Sequence, residues 1–366
     1  RLNAKKYFTP ASTTKIFTLY TALQLLPNRV PALKYIAKKD TLYFEGTGDP
    51  TLLHDYFKDS TAITFLKKYD HIVWYPNNYK GDLFGPGWAV EDYQYYYQVE
   101  RSALPMYGNV VTIHQNDSLR VYPNFFKKNV IDLEYNLDRE ELANTFYYAA
   151  SRADTVTIPY RTDSVLTKKL LETVLQKKIQ YTNTPPEGIK SILYGVSTDS
   201  VYKRMMHESD NFLADQLLVL SSGMLSDTLD GKKATKYILE NQLSDIAQPP
   251  RWVDGSGLSR YNLFTPESMV QVLEKLYTEI PKNRLFNIFP TGGDSGTLED
   301  WYASETRPYL YAKSGSVGNN YSLNGYILTK SGKTLIFSFM NNHFRIPSSE
   351  IKTEVQRILE SVRDSY

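Results

Sequence analysis

Thr9-Pro10-Ala11-Ser12-Thr13-Thr14-Lys15-Ile16-Phe17-Thr18-Leu19-Tyr20-Thr21-Ala22-Leu23-Gln24-Leu25-Leu26-Pro27 places a hydroxyl and an amine three positions apart at the head of an apolar segment. Ile16, Leu19, Tyr20, Leu23 and Leu26 fall at helical spacing, which predicts a helix from Ser12 to Leu26 that Pro27 stops. Ser12 then stands at a helix start, where free backbone N–H groups and the helix dipole favour developing negative charge. Residues three apart share a helix face, so Lys15 can reach the Ser12 hydroxyl. Burial and a second cation would bring its pKa down from the ordinary value of about 10.4 far enough to take that proton.

Outward from this helix the pattern changes. Thr41-Leu42-Tyr43-Phe44, His71-Ile72-Val73-Trp74-Tyr75 and Val110-Val111-Thr112-Ile113 read as short strands between Gly, Pro, Asn and Asp turns. Helical spacing returns from Ser200 to Leu220 and again from Lys233 to Leu243. Three strands follow at Leu310 to Gly315, Ser322 to Thr329 and Thr334 to Met340, and Ile351, Val355, Ile358, Leu359 and Val362 line one face of a closing helix. Helices at both ends and an antiparallel meander predict an α+β fold. Its catalytic domain is expected to be discontinuous, 1–36 and 186–366, interrupted by a β-rich insert at 37–185.

The chain has 366 residues, 42% hydrophobic and 22% charged, enough for a substantial core. A net charge of +2 gives no basic face for nucleic acid, and no run approaches the roughly 18 apolar residues of a membrane span. There is no cysteine, which excludes thiol catalysis, disulfides and thiolate metal sites. His54, His71, His114, His207 and His343 show no metal-ligand spacing, so neither a metal site nor a cofactor is expected, and a serine nucleophile would need a base other than histidine.

Ser-x-x-Lys, Ser-x-Asn and Lys-Ser-Gly together supply an acyl-transfer site without histidine, but each motif recurs. Ser-x-x-Lys is found again at Ser200 and Ser349, Ser-x-Asn at Ser322, and Lys-Ser-Gly at Lys330-Ser331-Gly332. Context separates them. Lys330-Ser331-Gly332 lies between two apolar strands and reads as a hairpin turn, Ser349 opens the last helix, and Ser200 lies too close to Ser209 along one helical stretch for both to face a common substrate. Ser12-Thr13-Thr14-Lys15, Ser209-Asp210-Asn211 and Lys313-Ser314-Gly315 remain.

These three resemble the active-site triplet of serine β-lactamases and penicillin-binding proteins. The flanks Gly46-Thr47-Gly48-Asp49-Pro50-Thr51-Leu52, Glu208 to Ala214, Asp254-Gly255-Ser256-Gly257-Leu258-Ser259-Arg260 and Ser322 to Tyr326 narrow the likeness to PBP4-type D-alanyl-D-alanine carboxypeptidase/endopeptidases. The long interval from Ser12 to Ser209 fits the inserted domains of that family.

The resemblance implies that Ser12 attacks the penultimate D-alanine carbonyl with Lys15 as base. It further implies that Ser209 passes the proton to the leaving amine, Asn211 orients Lys15, and Lys313 and Ser314 hold the terminal carboxylate. The backbone N–H groups of Ser12 and Ser316 would form an oxyanion hole beside Gly315. Trp88, Glu91 and Tyr96 resemble a segment that touches the peptide stem in relatives, although aromatic clusters usually just pack, and Glu91 replaces an aspartate there. Ser314 stands where threonine is commoner, and a helix and two strands are implied ahead of the nucleophile where this sequence has eleven residues, so the central sheet is expected to lose part of its edge. The ligands implied are peptidoglycan stem peptides and β-lactams, and the location the cell envelope, periplasmic or loosely membrane-associated. A β-lactamase or esterase with the same nucleophile, and a silent peptidoglycan-binding scaffold, are the alternatives.

Overall fold

The computed structural model describes all residues except Pro186 and Thr306. In chain order the strands are β1 (Arg29–Lys38), β2 (Thr41–Gly46), β3 (His71–Tyr75), β4 (Val110–Gln115), β5 (Leu119–Tyr122), β6 (Val130–Ile131), β7 (Phe146–Tyr147), β8 (Val156–Pro159), β9 (Gln180–Tyr181), β10 (Ser191–Ser197), β11 (Leu310–Ser316), β12 (Asn320–Leu328) and β13 (Thr334–Asn342). The helices are α1 (Lys15–Leu25), α2 (Thr61–Leu66), α3 (Ser164–Leu175), α4 (Thr198–His207), α5 (Asn211–Ser222), α6 (Gly231–Glu240), α7 (Pro266–Glu279), α8 (Lys282–Ile288) and α9 (Ser348–Ser365).

The antiparallel sheet β11-β12-β13 separates two cores. Side chains alternate across a strand, so Tyr321, Leu323 and Ile327 of β12 pack under α9, while Tyr326 enters the helical core, its hydroxyl donating to Leu273 O at 2.8 Å. Helices therefore cover both faces, as the α+β reading expects. Along its outer side β13 pairs with no strand among the described residues.

The first helix is more deeply placed than its apolar stripe predicts. A 3₁₀ turn, Ala11–Thr14, leads into α1, and every side chain from Lys15 to Ala22 is buried. Phe17, Thr18 and Thr21 fill the faces that spacing alone leaves free, so α1 is the central helix of its core and not a surface one. Its polar residues are satisfied locally: Thr18 donates to Gly255 O at 2.7 Å and Thr21 to Phe17 O at 2.9 Å.

The segment read as one helix from Ser200 to Leu220 is two. It breaks at Glu208 to Asp210, with Ser209 at φ 55°, and Asp210 restarts the chain as the N-cap of α5 by accepting from Leu213 N at 2.9 Å. Ser200 is turned away within α4, donating to Ser197 O.

The insert is built on the sheet β10-β1-β2-β3-β9, with antiparallel β10/β1 and β1/β2 and parallel β2/β3 and β3/β9 pairs. A second antiparallel sheet, β5-β4-β8, and helices α2 and α3 share its core. The expectation of a β-rich segment thus needs α2 and α3 added. The boundary expected at 36/37 falls inside β1, so pairing carries this sheet back to Arg29 and forward through β10 to Ser197; the boundary expected at Pro186 lies outside the described residues.

Candidate active site

The site lies where the α1 core meets the open end of β11. Ser12 is presented by the 3₁₀ turn, and two backbone crossings fix it. Gly315 passes so close that a Cβ there would sit 2.8 Å from Pro10 O, Ser12 N and Thr13 N. Gly257, at φ 82°, would place a Cβ 1.8 Å from Ala11 O, and Ala11 itself is left-handed at φ 49°. No side chain fits at either crossing.

Lys15 Nζ lies 3.0 Å from Ser12 Oγ, 2.7 Å from Asn211 Oδ1 and 2.8 Å from Ser256 O. Asn211 is oriented by its Nδ2, which donates to Tyr97 O at 3.0 Å. The carbonyl oxygens of Asn211 and Ser256 can only accept. A charged Lys15 donates to all three partners, whereas a neutral one has a lone pair, and the Ser12 hydroxyl is the one neighbour able to donate to it. Burial lowers the Lys15 pKa from 10.5 to about 8, against the opposing pull of Asp215, Asp254 and Asp210. Deprotonated Lys15 is therefore accessible near neutral pH and is aimed at Ser12.

Lys313 is on the face of β11 shared with Tyr311 and Gly315, turned toward the helical core. It is fully buried, and among the described residues its amine makes one hydrogen bond, to Ser314 O at 2.8 Å. Burial first, and the charge of Lys15 second, hold its pKa well below the ordinary lysine value. The two lysines are thus electrostatic neighbours in one site. Ser314 Oγ meets Thr297 Oγ1 at 2.7 Å, a pair of hydroxyls at the strand end.

A cleft of about 600 Å³ runs over Ser12, Ser209, Asn211 and Ser316 and is closed by Asp92, Tyr96, Tyr97, Thr297 and Val317. The structure brings Ser12, Lys15, Ser209, Asn211, Lys313, Ser314, Gly315 and Ser316 together, and Tyr96 joins them. Trp88 and Glu91 do not line this cleft. Trp88 Nε1 donates to Asp254 Oδ2 at 2.9 Å and its ring lies under Arg101, while Glu91 is exposed on the short turn Val90–Gln94; Asp92 is the acid that faces the cleft.

Sequence reasoning missed Asp215, Thr297, Asp92, Tyr97 and the Ser256 carbonyl. Asp215 carried a signal, since it lies one turn after Asn211 on α5. Its Oδ1 accepts from Gly255 N at 3.0 Å, and burial raises its pKa to about 6. Asp254, noted in the sequence only within a flanking motif, accepts from Gly257 N, Ser259 N and Asn262 Nδ2 at 2.7 to 2.8 Å. The two acids hold the loop whose Ser256 carbonyl takes the Lys15 bond. Thr297 had no signal, being placed by a tertiary contact. No cluster of three or more metal-ligating side chains and no helix long and apolar enough to cross a membrane is found among the described residues.

The sequence model of the family described as "D-Ala-D-Ala carboxypeptidase 3 (S13) family" matches residues 152–362, more than half of the chain, taking in the Ser209 and Lys313 motifs and beginning after Ser12. A D-alanyl-D-alanine carboxypeptidase, DacB, of Haemophilus influenzae is 30% identical over 171 residues, 45% of this chain and 36% of that protein. The match thus spans little more than a third of this relative's length. The crystal structure of penicillin binding protein 4 (dacB) from Haemophilus influenzae superposes with a TM-score of 0.73 at 18% identity, covering 99% of this chain and 92% of that one. The same protein complexed with a β-lactam gives 0.70 at 19% identity, over the same 99% and 92%. A predatory peptidoglycan endopeptidase from Bdellovibrio bacteriovorus gives 0.54 at 16% identity, over 99% and 88%. The fold is that of these proteins.

Proposed function

Because the chain belongs to the D-Ala-D-Ala carboxypeptidase 3 (S13) family, we propose that it is a serine D-alanyl-D-alanine carboxypeptidase working on peptidoglycan stem peptides in the cell envelope, with endopeptidase action on cross-links by the same steps. Neutral Lys15 takes the Ser12 proton as Oγ adds to the carbonyl of the penultimate D-alanine. The resulting oxyanion accepts from the backbone N–H groups of Ser12 and Ser316, a pairing supported by the close passage of Gly315, whose Cβ position lies 2.8 Å from Ser12 N. Collapse breaks the peptide bond. The departing amine gains the proton through Ser209, and water then cleaves the Ser12 ester to regenerate the hydroxyl. Lys313 and the Ser314–Thr297 hydroxyl pair hold the terminal carboxylate, so the two lysines of the site have separate work.

The observation that carries this reading is the buried Lys15 amine 3.0 Å from Ser12 Oγ, with its two other partners restricted to accepting. A β-lactam presents an acyl centre, activated by ring strain, together with a carboxylate, so acylation at Ser12 is expected. Labelling with a fluorescent penicillin, with peptide mapping and Ser12→Ala as control, tests it. An adduct on Ser12 that the substitution abolishes supports the proposal, and a label elsewhere or none refutes it. Slow release of the adduct separates a peptidase from a β-lactamase.

A further inference from the structure

A second cavity, of about 470 Å³, adjoins the catalytic cleft, and Tyr96, Arg204 and Asp210 line both. Its walls are tyrosines: Tyr56 and Tyr122 are 56% and 42% exposed, and Tyr107 meets Tyr122 edge to face at 5.3 Å. Aromatic rings partly exposed in a concave site are platforms for an apolar ligand surface.

The polar groups of the cavity limit what that ligand is. Arg204 has no ion pair among the described residues; its guanidinium is stacked on Tyr56 at 4.2 Å and its buried Nε has no hydrogen-bond partner. Asp55 makes no side-chain hydrogen bond among the described residues, and Asp210 spends one oxygen on Leu213 N, leaving the other free. Thr112 and Thr157 add hydroxyls to the wall. Burial holds the His54 pKa below the ordinary imidazole value, so the permanent charges of the cavity are two carboxylates and one cation. An anionic ligand would meet those acids, and a cationic one Arg204. A neutral ring that shows C–H faces to the tyrosines and hydroxyls to the acids, arginine and threonines satisfies every group.

We propose that this cavity is a saccharide subsite, which takes a sugar of the glycan while the peptide it bears lies in the Ser12 cleft. The inference rests on the peptidase reading above. Since the two cavities are contiguous, one glycopeptide can occupy both, and the sugar contact adds affinity without touching the reacting atoms. Tyr56 and Tyr122 are the residues to test, because neither lines the catalytic cleft.

The experiment compares kcat/KM for a D-alanyl-D-alanine peptide free, lengthened by uncharged residues, and attached to its N-acetylated disaccharide. It uses the parent, Tyr56→Ser and Tyr122→Ser, each first checked by fluorescent-penicillin labelling. The disaccharide is expected to raise kcat/KM about tenfold in the parent, and the gain to fall close to onefold in both variants while labelling and free-peptide turnover stay at parent values. An equal gain from the lengthened peptide, a gain that survives both substitutions, or no gain in a parent that labels normally overturns the saccharide subsite alone. A parent that does not label overturns the peptidase reading and this inference with it.

Discussion

Replacing Gly257 by alanine should silence Ser12 while leaving a folded protein. A Cβ there would lie 1.8 Å from Ala11 O, 2.4 Å from Ala11 C and 2.8 Å from Thr14 Oγ1. Bringing the first contact out to an ordinary separation moves the Ala11 carbonyl, and with it the Ser12 turn, by about 1.4 Å, and a misplacement of about 1 Å at a reacting centre costs about a hundredfold in rate. The left-handed backbone, φ 82°, adds strain of about 1–2 kcal/mol. Strain and displacement are separable, because Gly332 has φ 85° and nothing within 4 Å of its Cβ position. Gly332→Ala should therefore lose stability alone. Gly315→Ala, whose Cβ would meet three backbone atoms at 2.8 Å, needs a smaller shift and should fall between the two. The assay is the second-order rate of labelling by a fluorescent penicillin, with circular dichroism and thermal melting to establish folding. If Gly257→Ala folds and labels within about threefold of the parent, the turn is not what positions Ser12, and the account of the site fails.

Labelling should depend on pH through Lys15, whose protonated form cannot take the Ser12 proton: below about pH 8 the rate should fall about tenfold per unit, and above it level off, so a flat profile from about pH 6 to pH 9 would remove Lys15 as the base. Lys313→Met should raise the melting temperature while lowering labelling about a hundredfold, because a buried amine with one carbonyl partner among the described residues carries a desolvation cost that an apolar side chain of similar size does not; a fall in stability would show that Lys313 is structurally paired. Trp88→Phe should cost about 1 kcal/mol through the lost bond to Asp254, with peptide KM unchanged, and a rise in KM would return Trp88 to the substrate.

Two of the three candidate motifs, at Ser12 and at Lys313, were legible in the sequence because each sits at an element end that local patterning can locate. Proline and apolar spacing mark the start of α1, and alternating apolar residues mark β11. The Ser209 motif was found by its residues alone, since the spacing around it runs on as though α4 and α5 were one helix, and only the left-handed Ser209 with its Asp210 cap makes the break. The insert was read as strands because its helices are short or follow polar turns: α3 is announced by the Asp163 cap, a signal weaker than the hydrophobic alternation around it. Trp88 and Glu91 were singled out by position within a motif, but which residues of that segment face the cleft depends on the turn Val90–Gln94, and this turn presents Asp92.

What no local pattern contains is the balance of charge at Lys15. Burial alone would push its amine lower, toward a weak base that is always neutral, and the acids alone would keep it charged and useless as a base. Asp215 arrives on α5 one turn beyond Asn211, and Asp254 on the loop that also supplies the Ser256 carbonyl, so the residues that orient the amine belong to the elements that carry the opposing charges. Arg101 lies 3.6 Å from Asp215 and limits how much negative charge reaches Lys15. Lys313 faces the same amine without a carboxylate of its own, so on the proposed reading a ligand carboxylate placed beside it would relieve the cost of its burial as the substrate binds. Lys313 is therefore left short of a partner where the substrate can supply one, and Lys15 is held near neutrality by partners already in place. The difference between the two lysines follows from which faces of α5, β11 and the Asp254 loop meet in the folded chain.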